Sequence, residues 1–153
     1  MSNLITETIT EPQQASKFLF DLLDENKESL GIGFLGLDER LKPEYPAVVV
    51  LSGGKQKELH HTHVFLVSME VLIMVYHARL DNSHTQRTKE DLELVTNIEN
   101  TIETGEMNFN GAVVFAFIQQ TAPITGAARM NDAVVGTQML VAIESRKGFP
   151  YGP

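Results

Sequence analysis

Apolar residues recur at helical spacing in two stretches of the chain and at strand spacing in several others. Between residues 10 and 31, Ala15, Phe18, Leu19, Leu22 and Leu23 fall on one stripe of a 3.6-residue helix. Thr10 to Gln13 supplies a start. Thr10 is placed to cap, Gln13 completes a capping box, and Pro12 is tolerated in the first turn, where its missing N–H costs nothing. Gly31 is the expected stop, because glycine adopts the left-handed conformation that ends a helix. A second helix is expected from Thr88, which caps, with Glu90 and Asp91 in the first turn, where the helix dipole favours acids. Leu92, Val95, Ile98 and Ile102 make its apolar stripe, and Gly105 closes it.

The strand signals lie between and after these helices. Ala47–Leu51 (AVVVL) is short and β-branched, the mark of a buried strand. Ser52 to Lys55 reads as a hairpin turn. The run from His61 to Arg79 would exceed about 50 Å if unbroken. It is expected to be one strongly twisted strand with a bulge, or two strands in sequence. Ala112–Gln119 and Ala133–Glu144 are the closing strands, separated by a polar, glycine-containing loop from Gln120 to Asp132. Loops of that length inside a compact domain are usually functional or mobile. The order predicts an α+β fold: one domain with a mostly antiparallel or mixed β-sheet packed with two α-helices. Residues 1–9 form an arm, residues 10–147 the domain, and residues 148–153 a tail.

The long strand carries the most specific pattern. Phe65, Val67, Met69, Val71, Ile73 and Val75 occupy one face without interruption, which makes that face core. The alternate positions read Val64, Leu66, Ser68, Glu70, Leu72, Met74 and Tyr76. This face is half apolar, with a carboxylate in its middle. Two readings stay open: a helix of the same chain covers it, or another protein does.

Composition narrows the chemistry. The chain has 153 residues, the size of one domain, and 42% are hydrophobic, enough for a single core. With no cysteine, disulfides, thiolate metal sites and cysteine nucleophiles are excluded. The start, MSNLITETITEP, has neither the basic beginning nor the apolar run of a secretory signal, and no apolar run is long enough to span a bilayer. The net charge is -8, and the excess acid sits in the two helical segments. An acidic chain is a poor ligand for duplex DNA, whose affinity comes mainly from phosphate neutralisation. An acidic surface does suit a channel that DNA must pass without sticking.

Candidate catalytic motifs are weak. Gly31-Ile32-Gly33-Phe34-Leu35-Gly36 matches G-x-G-x-x-G in letters, but a helix precedes it where the dinucleotide motif needs a strand. It reads as a connector from helix to sheet. Gly53-Gly54-Lys55-Gln56 lacks the first glycine and the Ser/Thr of a phosphate loop. No G-x-S-x-G occurs, and Ser68 lies mid-strand, where a nucleophile is not exposed. All five histidines fall between His60 and His84. His61 and His63 share a strand face and are weak metal candidates, since a site needs a third ligand. His77 has the same parity but lies fourteen residues further along, and His84 falls in a loop. The simpler reading is that imidazoles mark where the strand emerges into water. A metal-dependent enzyme built on the His60–His63 cluster is therefore the alternative, and the expectation is a protein with no catalytic residues and no cofactor.

The layout resembles the tail terminator, or tail completion, family of long-tailed bacteriophages. The likeness covers residues 10–146. It rests on the amphipathic first helix, the strand YPAVVVL (Tyr45–Leu51), and the long strand region HVFLVSMEVLIMVYHAR. It continues in TKEDLELVTNIENTI, the link through Asn110-Gly111, and two closing strands around a long loop. The most suggestive part is the aliphatic strand ending in Arg79, followed by Arg87, Asp91 and Leu92 at a helix start. The resemblance implies a homo-oligomeric, hexameric ring that caps the tail tube, ends its polymerisation and offers a joining surface to the head connector. Its implied partners are further copies of itself, the tail tube protein and a head-completion or connector protein, with DNA passing through the lumen without specific binding. It implies no membrane and a place in the tail or neck of the virion, after assembly in the host cytoplasm. A different neck, head-closure or tail-tube component is the neighbouring reading. The resemblance carries over no catalytic residues. The positions nominated for interaction are Glu70 on the mixed strand face, and Gln120, Thr121, Thr125, Arg129, Asn131 and Asp132 in the long loop.

Overall fold

A computed structural model describes residues 9–40, 42, 44–61, 64–78, 89–104, 115–124 and 134–148. The fold is α+β, as the sequence predicts. A five-stranded mixed sheet has the order β1-β2-β3-β5-β4. Its strands are β1 (Phe34–Leu37), β2 (Ala47–His61), β3 (Val64–Ala78), β4 (Phe115–Pro123) and β5 (Val134–Gly148). The helices are α1 (Pro12–Glu25), a single turn α2 (Lys27–Leu30) and α3 (Lys89–Glu103). β1 runs parallel to β2, and every other pairing is antiparallel.

The first helix begins one residue later than its sequence signal. Glu11 is the cap, and Gln14 closes the box by accepting hydrogen bonds from the N–H groups of Thr10 and Glu11, both at 3.0 Å. Gln14 fits because Pro12 takes the first helical position, which puts the third at residue 14. α1 stops at Asn26, whose side chain donates to the Leu22 carbonyl oxygen, and α2 then ends at Gly31 with φ +76°. Gly31 is thus the predicted stop, reached after a break. The second helix buries three of its four predicted stripe positions, with Leu94 in place of Leu92. Leu94, Val95, Ile98 and Ile102 are buried, while Leu92 is 43% exposed. At 100° per residue Leu92 sits about a third of a turn away from Ile98, at the centre of the buried stripe.

Between residues 31 and 47 the chain does more than connect. Phe34–Leu37 forms β1 against Ala47–Val50 of β2. Gly33 packs where a Cβ would lie 2.8 Å from the Glu44 carbonyl oxygen, so this glycine serves close approach of backbones rather than a phosphate.

The segment from Ser52 to Lys55 is a bulge and not the hairpin turn its glycines suggest. β2 continues through it, with the register moving from Ser52↔Val71 to Lys55↔Met69. One extra residue on β2 faces Glu70, which increases the local twist without ending the pairing. Asp38, at φ +50°, pins the start of the bulge. Its carboxylate accepts the Ser52 N–H at 2.8 Å and the Ser52 hydroxyl at 2.9 Å, and Ser52 Oγ lies 2.7 Å from Ser16 Oγ on α1. Within the His61–Arg79 run, Val64–Ala78 is one long strand, β3, while His61 ends β2 and Arg79 lies outside the described residues.

Both long helices lie on one side of the sheet. Ala15, Leu19 and Leu23 of α1 and Leu94, Val95, Ile98 and Ile102 of α3 pack with Val67, Met69, Val71, Ile73 and Val75 of β3. Met139, Val141 and Ile143 of β5 join them. The strand face predicted as core is therefore the core. Burying each such aliphatic side chain is worth roughly 1.5–3 kcal/mol relative to exposure.

Candidate functional site

The other side of the sheet is the candidate site. Residues directly opposite in a ladder share a face, so the registers map it. One row across three strands is Leu51, Leu72 and Leu140. The next row holds Glu70, Ala142 and Phe117, and beyond it come Gln56, Ser68, Glu144 and Phe115. A last row brings Glu58, Leu66 and Arg146 together. At the opposite end, Phe34, Ala47, Val49 and Tyr76 form a small buried cluster, with Tyr45, Leu51, Met74 and Ile124 against it. Burial pushes the Tyr76 phenol above its ordinary value. Among the described residues no helix residue joins that cluster.

The face is thus an apolar half that grades into a polar half. Leu66, Leu72, Leu140 and Ala142 are half-buried, and Glu70 and Ser68 are exposed. Phe115 and Phe117 are 37% and 41% exposed, with ring centroids 5.4 Å apart. Of the two readings left open by the sequence, coverage by a helix of the same chain fails among the described residues, because α1 and α3 lie on the far side. Glu70 has no ion-pair partner among the described residues. It faces the bulge, and a Cβ on Gly53 would come within 2.5 Å of its carbonyl oxygen.

The loop positions divide. Gln120 and Thr121 belong to β4, opposite Leu140 and Met139, so they are strand rather than loop residues. The β4 ladder absorbs them after a register shift between Ile118 and Gln120. Thr125, Arg129, Asn131 and Asp132 lie outside the described residues.

The histidines divide too. His60 and His61 end β2, while His63 and His84 lie outside the described residues. Among the described residues, no group of three or more His, Asp or Glu is placed to hold a metal ion. His77 does not sit at a wet strand end. It is 8% exposed, and its Nε2 lies 3.5 Å from Oδ1 of Asp91, itself 6% exposed. The pair ties the end of β3 to the first turn of α3. Sequence periodicity places His77 on the core face, and that parity is the signal that could have revealed the contact.

Neither a comparison with protein-family models nor one with curated proteins gives a match. Among the described residues no helix is long and apolar enough to cross a membrane.

One further concavity lies on the helix side. Phe18, Asp21, Leu22, Glu25, Asn26, Thr101 and Thr104 line an open groove of about 550 Å³ between α1 and α3. Neither helix carries a basic residue in its last turn.

Proposed function

We propose that this chain is a structural subunit of a bacteriophage tail. It assembles with further copies as a hexameric ring that caps the tail tube, ends tube polymerisation and offers a joining surface to the head connector. The reading has no catalytic step. The observation that carries it is the open sheet face, where Leu51, Leu72 and Leu140 run across three strands beside exposed Phe115 and Phe117. A partly apolar sheet face that none of the described helices covers is what a subunit keeps for association. The order of elements behind the family resemblance adds to it, and the net charge of -8 suits a lumen that releases DNA.

The test is assembly. Purified protein is added to tail tube protein as it polymerises, and tube lengths and ends are examined by negative-stain electron microscopy. Capped ends and arrested growth are expected. Tubes that lengthen unchanged, with bare ends, would overturn the reading. Incorporation along the tube wall would instead point to a tube subunit.

A further inference from the structure

We infer that the paired end of β2 and β3 of one copy docks in the groove between α1 and α3 of the next. The inference deepens the ring reading and rests on it, by naming a contact that joins one subunit to another.

The strand end presents an apolar knob with cations around it. Leu59 is 61% exposed, more than any other large hydrophobic among the described residues. It pairs with Phe65, and Phe65 pairs in turn with Lys147, so the three share a row on the helix side of the sheet. Lys57 lies two residues before Leu59 on the same face, its ammonium 5.2 Å from the centroid of the Phe65 ring. Glu58 falls on the opposite face, in the row of Leu66 and Arg146. Neither Lys57 nor Lys147 has an ion-pair partner among the described residues.

The groove is the complement. Phe18 and Leu22, one turn apart on α1, are half-buried and give it an apolar floor. Asp21 and Glu25 stand exposed along it, and among the described residues no basic side chain lines it. Lys17 bonds Asp21 at 2.6 Å, whereas Glu25 has no ion-pair partner among the described residues. An apolar knob between cations thus matches an apolar floor between carboxylates. Seating Leu59 on Phe18 and Leu22 removes apolar surface from water, and the opposite charges orient the approach.

The knob cannot reach the groove of its own chain. Glu11 bonds Lys55, and Ser16 Oγ lies 2.7 Å from Ser52 Oγ, so α1 runs along β2 away from the knob. Leu59 is four residues past Lys55, roughly 13 Å along the strand. Leu22 is eleven residues past Glu11, roughly 16 Å along the helix in the other direction. β2 and β3 stay paired as far as His61↔Val64, which keeps the knob from folding back. A second copy supplies the fit. Because the contact joins two different patches, it is head-to-tail, the kind that closes into a ring.

The chain has no cysteine, so introduced pairs report cleanly. Full-length L59C protein is mixed with full-length T104C protein under mild oxidation, with E58C in place of L59C as the control. The L59C–T104C disulfide is expected at several-fold the yield of E58C–T104C. In parallel, K57E and E25K are each expected to raise the concentration needed for assembly several-fold in analytical ultracentrifugation, with the circular dichroism spectrum unchanged. The K57E/E25K chain, with both charges exchanged, is expected to recover. A crosslink yield equal to the control overturns the inference, and so does a double variant no better than the singles. Single variants that self-associate normally yet no longer cap tubes would assign the groove to another protein, and the inference falls. If the crosslink fails while tubes are still capped, the docking contact falls and the tail reading stands. If the crosslink forms and tubes stay uncapped, the tail reading falls and the contact stands.

Discussion

A Cβ on Gly53 would lie 2.5 Å from the Glu70 carbonyl oxygen, while one on Gly54 would meet nothing within 4 Å. The two adjacent glycines therefore have different worth. Gly53→Ala must push two paired strands apart at the bulge and is expected to destabilise by about 1–3 kcal/mol, the usual cost of forced overpacking. Gly54→Ala is expected within roughly 0.5 kcal/mol of wild type, as for surface changes without contacts. Urea denaturation of the two variants separates them, and equal midpoints would refute the account of the bulge. The residue type was legible in the sequence, but its role was not. Two glycines beside a lysine signal a turn as readily as a bulge, and the choice depends on Glu70 sitting opposite.

Two side-chain ties hold elements in place. His77 and Asp91 join β3 to α3 from buried positions. Asp91→Ala removes one partner and leaves a buried imidazole, at an expected cost on the order of 1–3 kcal/mol. A melting temperature unchanged from wild type would show the tie to be dispensable. The second tie joins α1 to β2. The Lys55 ammonium hydrogen-bonded to Glu11 holds its carboxyl below the usual carboxylate range. A carboxyl lowered in the folded state adds stability above its ordinary value, and loses it as pH falls through the lowered one. The stability gap between wild type and Lys55→Met is therefore expected to be widest near neutral pH and to close in acid below the ordinary value. Because the pair is exposed, added salt narrows the gap as well. Denaturation curves at several pH values check both trends. Elements with a long repeating pattern were readable: α1 by its stripe and β3 by its uninterrupted odd-numbered face. β1 was not, because four residues carry no period and form a strand only by pairing with β2. The exposure of Leu92 on α3 was readable in principle, because at 100° per residue Leu94 lies about 40° from Ile98 and Leu92 about 120°.

At the scale of the molecule, the question is what the sheet's second face is for. Leu72→Lys and Leu140→Lys place charges in the apolar row without touching the helix-side core. Each is expected to leave the melting temperature within a few degrees of wild type, as for a cost near 1 kcal/mol or less. Each is also expected to reduce self-association sharply, since an unpaired charge in an interface costs several kcal/mol. Sedimentation velocity and thermal melting together test this. A variant that assembles normally would show the face to be plain surface.

The sequence by itself determined the single α+β domain, the core face of β3 and the mixed character of its reverse, because alternation and helical stripes are local records of burial. It also nominated Glu70, which does lie on the open face. Only the tertiary structure decided that α1 and α3 pack together on one side and leave that face uncovered among the described residues. Only the tertiary structure, too, turned Gly53 into a bulge, placed Gln120 and Thr121 in a strand, and buried His77 against Asp91. Each of these depends on which distant segment lies opposite, and a one-dimensional pattern does not carry that information.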